Sequence, residues 1–98
     1  MDAQYILNNI SFEWDSRKAA TNLRKHKVSF ELACEVFFDP FVCYFDEEEV
    51  DGELRESIIG LTSNWRLLFV VYVMREDSVR IISARLATNS ERDFYENQ

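Results

Sequence analysis

The sequence predicts a single α+β domain, spanning residues 1–98, in which helices pack against one curved and mostly antiparallel sheet. Ninety-eight residues are enough for one domain with a modest core. Apolar residues make up 47% of the chain, with only two Gly and one Pro, which is typical of a globular protein and not of a disordered one. Segments with helical periodicity come early and strands joined by short turns come late, which gives the order β-α-α-β-β-β-β-α.

The first half of the chain holds one predicted strand and two predicted helices. Ile10–Trp14 alternates apolar and polar residues, as a half-buried strand does. Asp15 is a candidate N-cap for a helix over Ser16–His26, whose basic last turn suits the negative end of the helix dipole. A second helix begins at Ser29 and ends before Pro40, because proline cannot continue the hydrogen-bond ladder.

The second half is predicted to consist mainly of strands. Four segments have strand composition: 41–45, 56–61, 65–74 and 79–84. The third is almost continuously apolar, which indicates a central strand covered on both faces. The acidic block Asp46–Asp51 predicts a solvated loop, and Thr88 with Glu91 matches a capping box that starts a last helix. Residues 1–9 are weakly patterned and fit either a frayed terminus or an extra strand.

The net charge of −7 arises from 11 Lys and Arg against 18 Asp and Glu. Taken alone it argues against a nucleic-acid partner, because phosphate binding depends on Lys and Arg that displace counterions. The distribution of acidic and basic residues along the chain weakens that argument. Much of the acid lies in residues 46–56, whereas Arg24–Lys27 forms a separate basic cluster. A local basic face on an acidic protein is therefore compatible with the sequence.

The chain has no pattern typical of a metal site or a membrane segment. Cys34, Cys43 and the single His26 supply no plausible zinc ligand set, so we expect no metal or other cofactor and interpret both cysteines as small core residues. The N-terminal residues lack the features of a secretion signal. The longest apolar run, Leu67–Met74, is far shorter than the roughly 20 residues that a bilayer requires. These features predict a cytoplasmic protein that contacts no membrane.

Taken together and in order, several segments resemble the BrnT family of toxins. The matching positions extend over most of the chain and are Phe12-Glu13-Trp14-Asp15, Lys18, Ala19, Asn22, Leu23, Arg24-Lys25-His26, Val28-Ser29-Phe30-Glu31, Glu35-Val36-Phe37, Asp39-Pro40, Ile59-Gly60, Leu68-Phe69-Val70-Val71-Tyr72, Arg80-Ile81-Ile82-Ser83-Ala84-Arg85, Ala87-Thr88, Glu91-Arg92 and Tyr95. Each piece alone is weak evidence, but the ordered series is specific.

The resemblance implies a RelE-like fold and a metal-independent RNA endonuclease, the toxin of a type II toxin–antitoxin pair that inhibits translation by cutting RNA. It also implies a BrnA-like antitoxin with a ribbon-helix-helix domain, which neutralises the toxin and through which the pair binds operator DNA. Lys27 stands where members of the family often have glycine. Glycine would be a natural left-handed cap for the helix that ends at His26.

The candidate catalytic residues are His26, Lys25, Arg80 and Arg85. Metal-free RNA cleavage needs a base for the 2′-hydroxyl, an acid for the leaving 5′-oxygen and cations for the charge on the phosphorane. Histidine exchanges protons readily near neutral pH, which makes His26 the candidate acid or base. Lys25 and the two arginines are candidates for binding phosphate.

Four further residues are candidates for binding RNA: Arg24, Lys27, Trp14 and Tyr95. The two cations would contact phosphates, and the two aromatic rings would stack on bases. Structural interpretations stand beside these. A histidine at a helix end is often only a cap, and both aromatic residues are also candidate packing residues.

The two arginines raise a geometric question, because residues five apart in a regular strand point to opposite faces. Arg80 and Arg85 can serve one site only if the strand ends or bulges near Ser83 or Ala84. Arg80 also has an alternative role as the partner of a carboxylate such as Glu13 or Glu56. A different function is open as well: a catalytically weak relative that acts as a protein-binding subunit of a DNA-binding autorepressor complex.

Overall fold

The computed structural model describes residues 1–98. In chain order its elements are β1 (Asp2–Leu7), β2 (Ile10–Asp15), α1 (Ser16–His26), α2 (Phe30–Glu35), a 3₁₀ turn (Val36–Phe38), β3 (Cys43–Val50), β4 (Glu53–Leu61), β5 (Leu67–Met74), β6 (Val79–Leu86) and α3 (Asn89–Glu96). The strands form one open sheet in the order β1-β2-β6-β5-β4-β3, in which only β2 and β6 are parallel. The predicted α+β fold is confirmed. Of the two outcomes expected for residues 1–9, the extra strand is the one observed.

Local side-chain caps set the start of each helix where the sequence predicts it. Asp15 Oδ1 accepts hydrogen bonds from the backbone N–H groups of Arg17 and Lys18, at 2.8 and 3.1 Å. The Ser29 hydroxyl caps α2, and Thr88 with Glu91 forms the capping box of α3. Each cap satisfies amides that the helix itself leaves without a partner. Asp15 therefore sets the first residue of α1 at Ser16, and the helix ends with the basic residues Arg24, Lys25 and His26.

The acidic block is not a loop, so this prediction was wrong. β3 continues to Val50 and pairs with β4, and the chain turns at Asp51–Gly52, where both residues have positive φ. β3 is an edge strand whose carboxylates are exposed on both faces. It therefore lacks the apolar alternation by which a half-buried strand is recognised. Backbone pairing with β4, which sequence pattern does not report, defines the strand.

The core lies between the sheet and the two N-terminal helices. Phe12, Phe30, Val36 and Leu68 are among its fully buried side chains. β5 is central and buried on both faces, as its apolar sequence predicts. On the opposite face, α3 is held by contacts between the rings of Phe45 and Phe94 and of Phe45 and Phe69. None of the helices has the length and apolar character needed to cross a membrane.

α1 occupies the place beside β6 that β2 leaves. β2 pairs with β6 only at Phe12–Glu13, opposite Val79–Arg80, and then passes into the helix at Ser16. The rest of β6 would be an unpaired edge on that side. The side chain of Asn22 in α1 supplies the missing pairing, because it bonds to both backbone groups of Ala84. The bonds of Asn22 thus hold α1 against β6.

Candidate functional site

The candidate site is a groove of about 330 Å³ between α1 and β6. Its lining residues are Arg17, Lys18, Thr21, Asn22, Lys25, His26, Ile82 and Ser83. Lys18, Asn22 and Lys25 have the spacing that places residues on one face of a helix. The groove therefore combines one face of α1 with the middle of β6.

The side chain of Asn22 joins the two walls of the groove, α1 and β6, and is only 7% exposed. Its amide nitrogen donates to the carbonyl oxygens of Val28 and Ala84 at 2.9 and 2.8 Å, and its oxygen accepts from the Ala84 N–H at 3.1 Å. A buried polar side chain with every bond made fixes one geometry, because any shift leaves a buried group unsatisfied. Asn22 therefore fixes α1, and with it His26, relative to β6.

Positive charge is concentrated on α1. Between Ser16 and Lys27 there are five of the eleven cations and no carboxylate. Arg17, Lys18 and Lys25 line the groove, whereas Arg24 and Lys27 are exposed next to it. None of these five takes part in an ion pair. The groove is therefore a locally cationic surface on an acidic protein, suited to an anion such as a phosphate.

The end of α1 is held in a left-handed conformation at Lys27, with φ 60° and ψ 30°. The Lys27 N–H donates to the Leu23 carbonyl at 2.9 Å, and its own carbonyl accepts from Nη2 of Arg66 at 3.1 Å. Lysine thus forms the cap that glycine would form more easily. His26, just before this cap, is half-buried and faces the groove beside Lys25.

Arg80 lies on the face of the sheet opposite α1 and α2 and is held by two carboxylates. Its Nη1 is 2.6 Å from Glu13 Oε2, and both of its terminal nitrogens lie 3.2 Å from Asp2. Hydrogen bonds to Asp2 and Glu13 raise the pKa of Arg80 above the ordinary value for arginine. Bonds from the Ser78 hydroxyl and from Arg80 lower the pKa of Glu13. Arg80 thus has the carboxylate partner that the sequence offered as its alternative role.

Arg85 lies on the same face of the sheet as Arg80, because β6 is irregular between them. Arg80 lies opposite Val73 and Arg85 opposite Phe69, with a register shift at Val71/Tyr72. The bulge adds one residue to β6, so residues five apart point the same way. Arg85 stacks on the Phe69 ring at 4.3 Å and makes two bonds to Glu91, at 2.8 and 2.9 Å. Neither arginine lines the groove of Lys25 and His26.

The two aromatic candidates lie elsewhere. Trp14 is only 4% exposed and packs edge-on against Phe30, which leaves no ring face for a base. The Tyr95 hydroxyl donates to Asp39 Oδ2 at 2.6 Å, and burial together with this bond raises the pKa of Tyr95. Tyr95 lines a separate, larger cavity. Trp14 is therefore a core residue here, which was its structural interpretation.

Sequence reasoning missed several residues that build the groove. Arg17, Lys18 and Asn22 were not proposed, although their spacing to Lys25 and His26 is helical and predicts a shared face. Arg66 had no sequence signal, because its contact with Lys27 joins residues 39 apart. No group of three or more His, Cys, Asp or Glu is placed to hold a metal ion.

Two comparisons identify relatives of the chain. The family model described as "Ribonuclease toxin, BrnT, of type II toxin-antitoxin system" matches residues 14–91. Among solved structures, the 1.1 Å crystal structure of the Brucella abortus ribonuclease toxin BrnT superposes with a TM-score of 0.61 at 27% identity, covering 78% of this chain and 94% of that one. No curated protein sequence matches. The family match covers well over half of the residues, so the chain belongs to the BrnT family of ribonuclease toxins of type II toxin–antitoxin systems.

Proposed function

We propose that the chain cuts RNA without a metal ion and that the groove between α1 and β6 holds the scissile phosphate. In this reaction the 2′-oxygen attacks phosphorus and the 5′-oxygen leaves, which gives a 2′,3′-cyclic phosphate and a 5′-hydroxyl. His26 makes one of the two proton transfers. Lys25 stabilises the negative charge on the phosphorane oxygens, with Arg17 and Lys18 on the flanking phosphates.

The observation that carries this proposal is the charge of the groove. Three cations and the only histidine line it, no carboxylate does, and the cations have no internal ion-pair partner. Elsewhere on the protein, cations such as Arg75, Arg80 and Arg85 are each paired with acids. A phosphate at α1 would gain charge-assisted hydrogen bonds without breaking existing ones. Arg24 and Lys27 would extend the positive path for the RNA backbone.

In this proposal Arg80 and Arg85 have structural roles and do not contact the scissile phosphate. Their guanidinium groups already bond to Glu13, Asp2 and Glu91. Contact with a phosphate would require these pairs to open and leave a carboxylate next to the RNA. We therefore assign Arg80 to holding β1 and β2 against β6, and Arg85 to docking α3 on Phe69.

The family supplies the setting of the reaction. A toxin of a type II pair has an antitoxin, and we propose that the antitoxin is BrnA-like, with a ribbon-helix-helix domain that carries the complex to operator DNA. We further propose that cleavage takes place in the cytoplasm and stops translation by destroying RNA. The long acidic edge formed by β3 is suited to a basic segment of such a partner.

The test is cleavage of a mixed RNA by purified, antitoxin-free protein in EDTA. We expect the wild type to cut, and His26→Ala to cut roughly 100- to 10,000-fold more slowly, the usual effect of losing a general acid or base. Lys25→Ala should also slow cleavage. Arg92→Ala is the matched control, because Arg92 is an exposed cation on α3 outside the groove. Equal rates for His26→Ala and Arg92→Ala would remove His26 from the mechanism.

A second candidate function is a protein-binding subunit in an autorepressor complex with little nuclease activity. The observation in its favour is that both arginines expected to bind phosphate are tied to carboxylates within the chain. Expression without the antitoxin separates the two functions. A nuclease stops growth, and growth is restored in His26→Ala, whereas a binding subunit is tolerated in both forms.

A further inference from the structure

A second cavity of the protein is distinct from the groove and contains none of the residues assigned to the cleavage step. It has a volume of about 660 Å³ and shares no residue with the groove. Its lining residues include Glu35, Asp39, Phe41, Ser63, Trp65 and Tyr95. A mostly apolar cavity with a few convergent polar groups is the usual form of a ligand site.

Two aromatic rings at this cavity face solvent. Trp65 is 81% exposed and Phe41 is 66% exposed. Trp65 also has φ 67°, a left-handed conformation that is uncommon for a bulky side chain. Two hydrogen bonds hold the turn in which Trp65 adopts this conformation. The Trp65 N–H donates to the Thr62 carbonyl, and the Arg66 N–H donates to the Thr62 hydroxyl. Neither backbone preference nor burial accounts for tryptophan here, which points to a role in binding.

Two carboxylates line the cavity, and one of them has an oxygen that accepts no hydrogen bond within the protein. Asp39 is fully engaged, since its oxygens accept from the N–H groups of Phe41 and Leu61 and from the Tyr95 hydroxyl. Glu35 uses Oε1 for both the N–H and the hydroxyl of Ser63, at 2.9 and 2.8 Å. Its second oxygen has no partner in the protein. That oxygen can accept a hydrogen bond from an exocyclic amine on the edge of a base.

The cavity is linked to the cationic end of α1. Arg66 follows Trp65 in the chain, and its Nη2 donates to the Lys27 carbonyl at 3.1 Å. The Arg66–Lys27 bond thus joins the turn that carries Trp65 to the C-terminal end of α1. A nucleic acid whose backbone lies on α1 would pass these cations as it leaves His26. An unpaired base at that point meets the Trp65 ring, on which any base can stack.

We infer that this cavity is a nucleobase subsite, in which an unpaired RNA base stacks on Trp65 and Phe41 beside Tyr95. The inference rests on the proposed ribonuclease function and extends it with a second contact point for the substrate. It gives the stacking role to a residue at the β4–β5 turn. Trp14, the other tryptophan, is buried in the core.

The test uses two probes that the enzyme cannot cut: a 2′-O-methyl hexanucleotide and an abasic hexanucleotide with the same backbone. Because Trp14 is buried and Trp65 exposed, stacking should quench the emission of Trp65. We expect quenching by the base-bearing probe and not by the abasic one. Trp65→Gly should bind the base-bearing probe roughly 5- to 150-fold more weakly than wild type, which is the range expected for the loss of one stacked base. Its affinity for the abasic probe should equal that of wild type. Trp65→Phe keeps a ring and should retain most of the affinity.

The controls separate each way of failing. Trp65→Gly should melt at or above the wild-type temperature, because glycine adopts the left-handed conformation without the steric cost that tryptophan carries there. Equal binding of the base-bearing probe by Trp65→Gly and wild type overturns the subsite and leaves the groove intact. A wild type that binds neither probe overturns the proposed RNA site as well. If Trp65→Gly binds both probes normally but loses the antitoxin, the occupant is a protein and the inference is wrong.

Discussion

Replacing Asn22 with alanine should strongly destabilise the protein, and the structure gives the size of the effect. The change removes three hydrogen bonds of 2.8–3.1 Å from a side chain that is 7% exposed. At about 1 kcal/mol net for each bond, the loss is about 3 kcal/mol, and the unpaired groups of Ala84 add to it. Alanine has a higher helix propensity than asparagine by about 0.5 kcal/mol, which offsets part of this loss. We expect the free energy of unfolding to fall by about 2–3 kcal/mol, or roughly 10–20 °C in Tm.

The assay is urea denaturation followed by circular dichroism, with Thr21→Ala as the control. Thr21 is the preceding residue of α1 and is exposed, so its replacement should change the free energy of unfolding by less than about 0.5 kcal/mol. Asn22→Ala should also cut RNA poorly at temperatures where it is folded, because His26 would no longer be fixed relative to β6. If Asn22→Ala were as stable as Thr21→Ala, the bonds to Ala84 would not be what holds α1 in place.

Two further changes test the helix cap and the ion pair at β2. Lys27→Gly should raise the free energy of unfolding by about 1 kcal/mol, because φ 60° is strained for lysine and free for glycine; a lower Tm would contradict this. Ser78 and Arg80 lower the pKa of Glu13 in the folded state, so its contribution to stability is present above the unfolded pKa and lost as pH falls through the folded value. The stability advantage of wild type over Glu13→Gln should therefore shrink between pH 7 and about pH 3 in urea titrations, and an advantage independent of pH would exclude the ion pair.

The helices were predictable because their signals are local. Asp15, Ser29 and the Thr88–Glu91 box each act within three residues of the helix that they cap. Strand β3 was not predictable by the same means. Its acidic residues face solvent on an edge strand, and only pairing with β4 identifies them as a strand. Sequence pattern thus predicts elements whose cause lies nearby and fails where a distant partner decides.

The residues of the candidate site also divide into those predictable from local sequence and those that depend on distant contacts. The basic last turn of α1 and His26 were visible in the sequence, because they lie on one short segment. The question about Arg80 and Arg85 could be posed but not answered, since it depended on a bulge in β6. Arg66 and Trp65 gave no signal at all. The roles proposed for them depend on a turn that the fold brings to the end of α1.

The acidity of the protein is compatible with binding RNA because the two signs of charge lie on different elements. Ser16–Lys27, which comprises α1 and its C-cap, holds five of the eleven cations, so the rest of the chain has six cations against eighteen acids. Much of the excess acid lies on β3 and β4, at one edge of the sheet. Charges more than about 10 Å apart are largely screened at physiological salt, so α1 presents its local charge to a phosphate. A uniformly acidic groove would repel the RNA backbone, whereas this segregation makes the proposed RNA site on α1 compatible with an acidic edge suited to the proposed basic partner.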